Sequence, residues 1–369
     1  MRILQLSSAQ AFGGGERHLA DLANGMTRRG HEVFAALRPG SSLASELNSL
    51  PSTNIVTMRL RNAIDAVSAR KLARFVKDNE IEILHAHLAR DYPAAVYAVR
   101  ANRSCKLVLT RHVLFPLNRL HSLTLSRTAR VIAVSGAVKR ALAAQQLMPE
   151  DRIVVIHNGI DTARFGRTSK SDQLAFRRQW KIPDGAVVVG TVGELTALKG
   201  HGDFLDAAAR ILRSFPDTHF LIAGLDASPE MPNLAALKKQ INKLRLDESV
   251  RLIGWVEDLP CLYQSLDVFV SASHSESFGL AIAEAMSSST AVVSTSTEGA
   301  AEIIENGVSG KLVGIGDVDA LAIAVGELIE DESQRARLRT EGQKRIESEF
   351  SLEKMMSATE RLYREVLMA

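Results

Sequence analysis

Cysteine is scarce in this chain: Cys105 and Cys261 are the only two among 369 residues. They stand far apart and without metal-ligand spacing, so they read as two buried, reduced thiols rather than a disulfide framework or a metal site. Aromatics make up only 5% of the chain, and nothing in it has the pattern of a nucleic-acid module, so no nucleic-acid partner is expected. Apolar runs are short, and none approaches the roughly 18 residues of a membrane span. The opening Met-Arg-Ile-Leu-Gln-Leu lacks the layout of a secretory leader and reads directly as a first buried strand, which predicts a cytoplasmic protein. Acidic residues are missing altogether between residues 92 and 149, where nine basic ones occur.

That last absence belongs to a wider asymmetry. Residues 1–165 hold 23 Lys and Arg against 12 Asp and Glu, whereas the remainder holds 22 against 30, so the net charge of +3 conceals a basic half and an acidic half. A solvated basic face accounts for part of this excess. The functional reading is docking to an anionic membrane surface, peripheral and at the cytoplasmic face, where charge adds affinity without insertion.

What is present is an alternation of short apolar runs with amphipathic stretches, the pattern of parallel sheets joined by crossover helices. Strands are predicted over residues 2–7, 31–37, 54–58, 83–85, 107–111, 130–134 and 152–156. After a more polar stretch, residues 158–185, the pattern restarts at 187–191, 219–223, 250–252, 268–271, 291–294 and 311–313. Helices are predicted over 16–29, 66–79, 138–146 and 333–350, with Val67, Leu72, Phe75 and Val76 facing the core of the second. Ser135 has the position of an N-cap. A chain of this length suits two domains, and two similar α/β units joined by one crossing predict facing domains with a cleft between their strand C-terminal ends.

The most specific stretch is residues 275–286, Ser-Glu-Ser-Phe-Gly-Leu-Ala-Ile-Ala-Glu-Ala-Met. It sets Glu276 in a loop and Glu284 eight residues on, in a helix opened by Phe278, Gly279 and Leu280. A helix start offers free N–H groups and a positive dipole end to an anion, and the two carboxylates can hold hydroxyls. A nucleotide-sugar has phosphates and hydroxyls in that order. Gly13-Gly14-Gly15 after the first strand offers further amides, Gly193-Glu194-Leu195 with Lys199-Gly200 offers a cation for a pyrophosphate, and Thr110-Arg111-His112 ends a strand where side chains project beyond the sheet. His85 and His87 end another strand; they have the look of a metal pair, but no carboxylate or cysteine completes a set.

The 275–286 block resembles the E-x7-E motif of the retaining family 4 glycosyltransferases, enzymes of the GT-B fold. The match runs the length of the chain, through Gly13 to Val33, Ser135-Gly136 with Lys139, His157-Asn158-Gly159-Ile160-Asp161, Gly254-Trp255-Val256 and Glu298-Gly299-Ala300-Ala301-Glu302. It departs at Glu194, where the family usually has arginine, and at Ser289-Thr290-Ala291, where it usually has Gly-x-Pro.

The resemblance implies two facing Rossmann-like domains with a cleft between them and a C-terminal helix crossing back to the first. That makes residues 1–165 plus 351–369 an acceptor-binding domain and residues 166–350 a domain for a nucleoside-diphosphate sugar. It implies His112, Lys199 and Glu276 as catalytic residues, with His112 against the donor sugar. Gly14, Gly15, Glu194, Phe278, Gly279, Leu280 and Glu284 would bind the donor, and Glu16, His85, His87 and Arg111 would line the acceptor side. No metal and no cofactor are expected. The expected acceptor is a bacterial surface glycan or lipid-linked saccharide, such as one of lipopolysaccharide biosynthesis. Two other classes stay open on the sequence: a nucleotide-sugar epimerase of the same architecture, and a non-catalytic nucleotide-sugar-binding protein.

Overall fold

The parallel strands begin as continuous apolar runs because a sheet covered on both faces has no polar side to alternate with. In the computed structural model, which describes residues 1–59, 65–166 and 168–369, these runs form two sheets in two compact units. One unit is Met1–Gly159 with Leu352–Ala369, and the other is Ile160–Ser351.

The first unit contains β1 (Arg2–Ser7), α1 (Gly14–Arg28), β2 (Glu32–Leu37), β3 (Ile55–Thr57), α2 (Ala66–Asp78), β4 (Ile83–Ala86), α3 (Tyr92–Ala101) and β5 (Lys106–Arg111). It continues with α4 (Ser122–Leu125), β6 (Arg130–Ala133), α5 (Gly136–Ala143) and β7 (Ile153–Val155). The sheet order is β3-β2-β1-β4-β5-β6-β7, every pair parallel. The order reverses direction between β1 and β4, which makes their carboxyl ends the place where an open sheet of this kind leaves a crevice.

The second unit runs through α6 (Thr162–Phe165), α7 (Lys170–Gln179), β8 (Val188–Val192), α8 (His201–Ser214), β9 (His219–Ala223), α9 (Pro232–Leu244), β10 (Val250–Gly254) and α10 (Leu259–Gln264). There follow β11 (Val268–Ser271), α11 (Leu280–Ser287), β12 (Ala291–Thr295), α12 (Glu298–Ile303), β13 (Lys311–Val313), α13 (Val318–Glu330) and α14 (Glu332–Glu349). Its order, β10-β9-β8-β11-β12-β13, is again parallel, with its reversal between β8 and β11. The last helix, α15 (Leu352–Met368), belongs to the first unit, where Met355, Met356, Leu362, Tyr363 and Val366 join the core built on Ile3, Leu22, Met26, Val108 and Ile132. Both cysteines are free and buried.

Four details differ from the sequence reading. The first unit ends at Gly159 rather than at residue 165, because Phe165 of α6 packs on Tyr263, ring centroids 6.1 Å apart, within the second. The polar stretch 158–185 holds α6 and α7, and its residue 167 lies outside the described residues. Helix α1 starts at Gly14 and not near Glu16, since the Arg17 amide already donates to the Gly13 carbonyl at 2.9 Å. Val67 is exposed: Asp65 caps α2 through the Ser68 amide, and this start turns Val67 away from the face carrying Leu72 and Val76.

Candidate functional site

In the second unit, β8 and β11 flank the reversal of strand order, and the loops leaving their carboxyl ends carry Lys199 and Glu276. The β8 loop ends in a single 3-10 turn, Ala197–Lys199, followed by Gly200 at φ +64°. A Cβ at Gly200 would stand 1.9 Å from the Ala272 carbonyl oxygen, so only glycine lets this turn lie against the β11 loop. That approach delivers the contact at the centre of the site: Lys199 Nζ donates to Glu276 Oε1 at 2.6 Å. The Glu276 side chain is only 12% exposed and that of Lys199 30%, so the pair is partly withdrawn from water yet still open on the lysine side. Ser273 Oγ donates to the same carboxylate oxygen at 2.8 Å, and the Thr295 hydroxyl from β12 donates to the Ser273 carbonyl at 2.5 Å. The His274 amide bonds the Leu198 carbonyl at 2.8 Å, and the His274 ring meets Asp203 of α8 at 2.7 Å. The two loops are therefore laced together, which fixes where the ion pair sits.

Beyond Glu276, Phe278 is buried against Phe350 with ring centroids 5.7 Å apart. Gly279 follows with φ +108°, and α11 begins at Leu280. Glu284 stands one turn into α11 and accepts from the Tyr263 hydroxyl at 2.9 Å. Burial, reinforced by that carboxylate, pushes the Tyr263 phenol well above its ordinary pKa, so it stays a donor. Glu194 is exposed in the turn after β8; its carbonyl, not its carboxylate, is the group in contact, with His201 Nε2 at 3.2 Å.

In the first unit, β1 and β4 flank the corresponding reversal. Gly14 and Gly15 form the first turn of α1, where amides have no acceptor within the helix. The His112 ring packs against Gly15, 3.6 Å from where a Cβ would be. His112 Nε2 lies 3.3 Å from His87 Nδ1, and His87 Nε2 is 2.8 Å from Gln5 Oε1. His18, on the buried side of α1, completes a cluster in which one ring nitrogen from each histidine lies within 4.8 Å of those of the other two. Burial is the leading cause that pushes His18 down to about 4 and His87 and His112 well below the ordinary histidine value. Three neutral imidazoles are a donor set that could hold a transition metal.

Three acceptor-side expectations are corrected here. His85 has 0% exposure, and both its nitrogens are used inside the core, by Tyr363 Oη at 2.6 Å and Thr110 Oγ1 at 2.7 Å, so no ligand reaches it. Arg111 is buried with Nη2 donating to the Phe115 carbonyl, which pins the loop after β5 rather than facing a substrate. Glu16 turns back on its own helix, accepting from the Gly13 amide at 3.1 Å. Sequence reasoning missed Ser273, which carries no local signal, and the place of His18 in the cluster. The latter was legible in principle as a histidine on the apolar face of α1.

Residues 12–164 match the family described as Glycosyltransferase Family 4, and residues 172–345 match Glycosyl transferases group 1. The chain belongs to the family 4 glycosyltransferases. It is similar to the lipopolysaccharide core biosynthesis glycosyltransferase LpsE of Rhizobium meliloti (strain 1021), 28% identical over 352 residues and covering 94% of each chain. The two-unit architecture is the GT-B fold. It superposes on Anabaena Alr3699/HepE, solved in complex with UDP and glucose, with a TM-score of 0.88, 25% identity, and coverage of 99% of this chain and 100% of that one. A glycosyltransferase from Rickettsia africae ESF-5 gives a TM-score of 0.89 at 23% identity, covering 99% and 98%.

Proposed function

We propose that this family 4 glycosyltransferase moves a sugar from a nucleoside diphosphate to a hydroxyl of a saccharide or lipid-linked acceptor, with retention at the anomeric carbon and without a metal ion. The observation that carries this reading is the Lys199–Glu276 pair, held at 2.6 Å at the reversal of strand order beside the start of α11. The donor diphosphate takes the place offered by the Lys199 ammonium and the amides at Phe278, Gly279 and Leu280. Glu276 accepts from sugar hydroxyls, and Glu284 from the ribose. As the bond from the anomeric carbon to the diphosphate oxygen breaks, charge builds on the leaving phosphate, and the cation and amides stabilise it. The acceptor oxygen bonds the same face of that carbon, and its proton passes to the departing phosphate oxygen. His112 keeps its proposed role against the sugar, Gly14 and Gly15 theirs toward the donor, and His87 its place on the acceptor side.

The names of similar proteins support this reading. HepE has been solved with UDP-glucose, and LpsE is named for lipopolysaccharide core biosynthesis. We assign this chain a nucleotide-sugar donor and a surface-glycan acceptor on that basis. Glu276→Ala tests the centre of the proposal: the variant should keep its melting temperature within a few degrees yet transfer at least about tenfold more slowly, roughly 1.4 kcal/mol of transition-state stabilisation. Near-normal turnover would remove Glu276 from the site. Screening UDP, GDP, ADP and their sugars by thermal shift identifies the donor, because a ligand bound only by the native state raises stability. Full activity after exhaustive chelation is expected, and loss of activity restored by a divalent ion would reject the metal-free mechanism.

Peripheral attachment to an anionic membrane is part of the same proposal. Among the described residues, no helix is long and apolar enough to cross a membrane. The loop region after β5 instead exposes Phe115, Leu120 and Leu123 beside Arg119, apolar anchors with a cation and no acidic neighbour in sequence. Phe115→Ser with Leu120→Ser should weaken binding to phosphatidylglycerol vesicles while leaving donor affinity unchanged; undiminished vesicle binding would refute attachment through this loop.

A further inference from the structure

We infer that a cavity at the amino-terminal edge of the first unit's sheet is a second anion site, built for a phosphate-bearing ligand and separate from the glycosyl-transfer site. The cavity has a volume of about 860 Å³, in the range of small-molecule sites and well above what a lone phosphate fills. Six cations line it: Arg100, Arg103, Lys106, Arg127, Arg130 and Arg152. They come from the end of α3, the turn after it, the first residue of β5, the loop before β6, the first residue of β6 and the residue before β7.

Among the described residues, none of the six has a carboxylate partner, although Lys139 in the same basic stretch pairs with Glu150 at 3.7 Å. Among the described residues, their guanidinium groups bond only to carbonyls: Arg130 to Ala129 at 2.9 Å and Arg152 to Ser126 at 3.3 Å. Ala369 also lines the cavity, and among the described residues its carboxylate makes no ion pair with them. The negative end of the α3 dipole accounts for Arg100 and Arg103. It does not account for four further cations brought in by β5, β6, β7 and their loops. Gathering like charges in one concavity is unfavourable unless an anion joins them. Planar guanidinium forks match phosphate oxygens two at a time, and five of the six are arginines.

Position separates this site from the chemistry. The cavity gathers residues at the starts of β5 and β6 and just before β7, whereas Arg111 closes β5 at its carboxyl end and His112 follows it. Six residues of strand put roughly 17 Å between the two edges. A ligand there is an effector or a tether, not a substrate. The basic run of residues 92–149 is thus not one uniform face: five of its nine cations line the cavity, Arg111 is buried, and Lys139 is paired.

The test titrates the full-length protein with inorganic pyrophosphate by calorimetry, alongside Lys199→Ala and the triple variant Arg103→Gln/Arg130→Gln/Arg152→Gln. The triple variant should lose at least about tenfold in affinity for one class of site that Lys199→Ala retains. A parallel arm compares binding to phosphatidylglycerol and phosphatidylcholine vesicles. Loss in the triple variant of pyrophosphate binding assigns the phosphate to a soluble ligand, and loss of phosphatidylglycerol binding alone assigns it to a lipid headgroup; either supports the site. Wild-type binding of both probes by the triple variant overturns it, as does the joint absence of a second class of pyrophosphate site and of any preference for phosphatidylglycerol over phosphatidylcholine. If the triple variant melts early, Arg103→Gln alone, on an exposed turn, must shift the same binding in the same direction. Failure here leaves the Glu276 test untouched.

Discussion

His18, His87 and His112 are buried bases, and burial of a base has a definite consequence for stability. Their pKa values in the fold lie below the ordinary value near 6.5, with His18 at about 4, as is His201 in the second unit. Between about pH 6.5 and 4 the unfolded chain binds protons at these positions and the folded chain does not. Stability is therefore fully present above about pH 6.5 and is lost as pH falls toward 4. The melting temperature should drop across that window. In His18→Leu, which removes one of these buried rings, the drop should be shallower. A melting temperature flat down to pH 4.5, or an identical slope in the variant, would contradict this account. The Lys199–Glu276 pair belongs to the same scale. Sequence reading gave its two members separate tasks, whereas the fold makes each the other's partner until a donor arrives.

At the scale of elements, what positions that pair is the close packing of α12 on the loop before α11. A Cβ added to Gly299 would stand 2.7 Å from the Glu276 carbonyl oxygen and 2.8 Å from the Phe278 amide nitrogen and oxygen. All three are backbone atoms, so Gly299→Ala must push the 276–278 loop aside. Overpacking of this kind costs about 1–3 kcal/mol, and here the displacement falls on the proposed donor contacts. Urea unfolding should show that loss, and donor affinity should fall with it. Unchanged affinity in a destabilised variant would mean that the loop does not hold the donor. The strands themselves were readable because buried parallel strands are unbroken apolar runs; β1, β9, β11 and β13 fall where those runs predict. The Glu298-Gly299 motif was readable too, but not its reason, which is a distance across two elements. His85 shows the same limit. At the end of an apolar run it reads as a projecting ligand, yet Tyr363, 278 residues away, claims its ring. Ser289, recognised only as a departure from Gly-x-Pro, adopts φ +55°, the left-handed conformation that glycine tolerates at least cost.

The molecule as a whole divides unevenly along the sequence, since the first unit is completed by the last helix. From α15 come five buried hydrophobic side chains, Met355, Met356, Leu362, Tyr363 and Val366. Burial of each is worth about 1.5–3 kcal/mol, so the helix contributes on the order of 10 kcal/mol before chain entropy is counted. A domain of this size is stable by only about 5–15 kcal/mol in total. Arg29 of the α1 C-cap adds ion pairs to Glu353 and Glu360, and Glu360, held by Arg364 and then Arg29, keeps its carboxyl down at about 2. Deleting residues 352–369 should therefore abolish the cooperative unfolding of the first unit. The second unit keeps its whole core, Lys199, Glu276 and α11, and should still melt as a unit and still be stabilised by the donor nucleotide. Calorimetry of the truncated chain with and without nucleotide checks both halves of the expectation. Loss of the nucleotide-dependent shift would show that donor binding needs the first unit intact, and would move the proposed pocket off the residues assigned here.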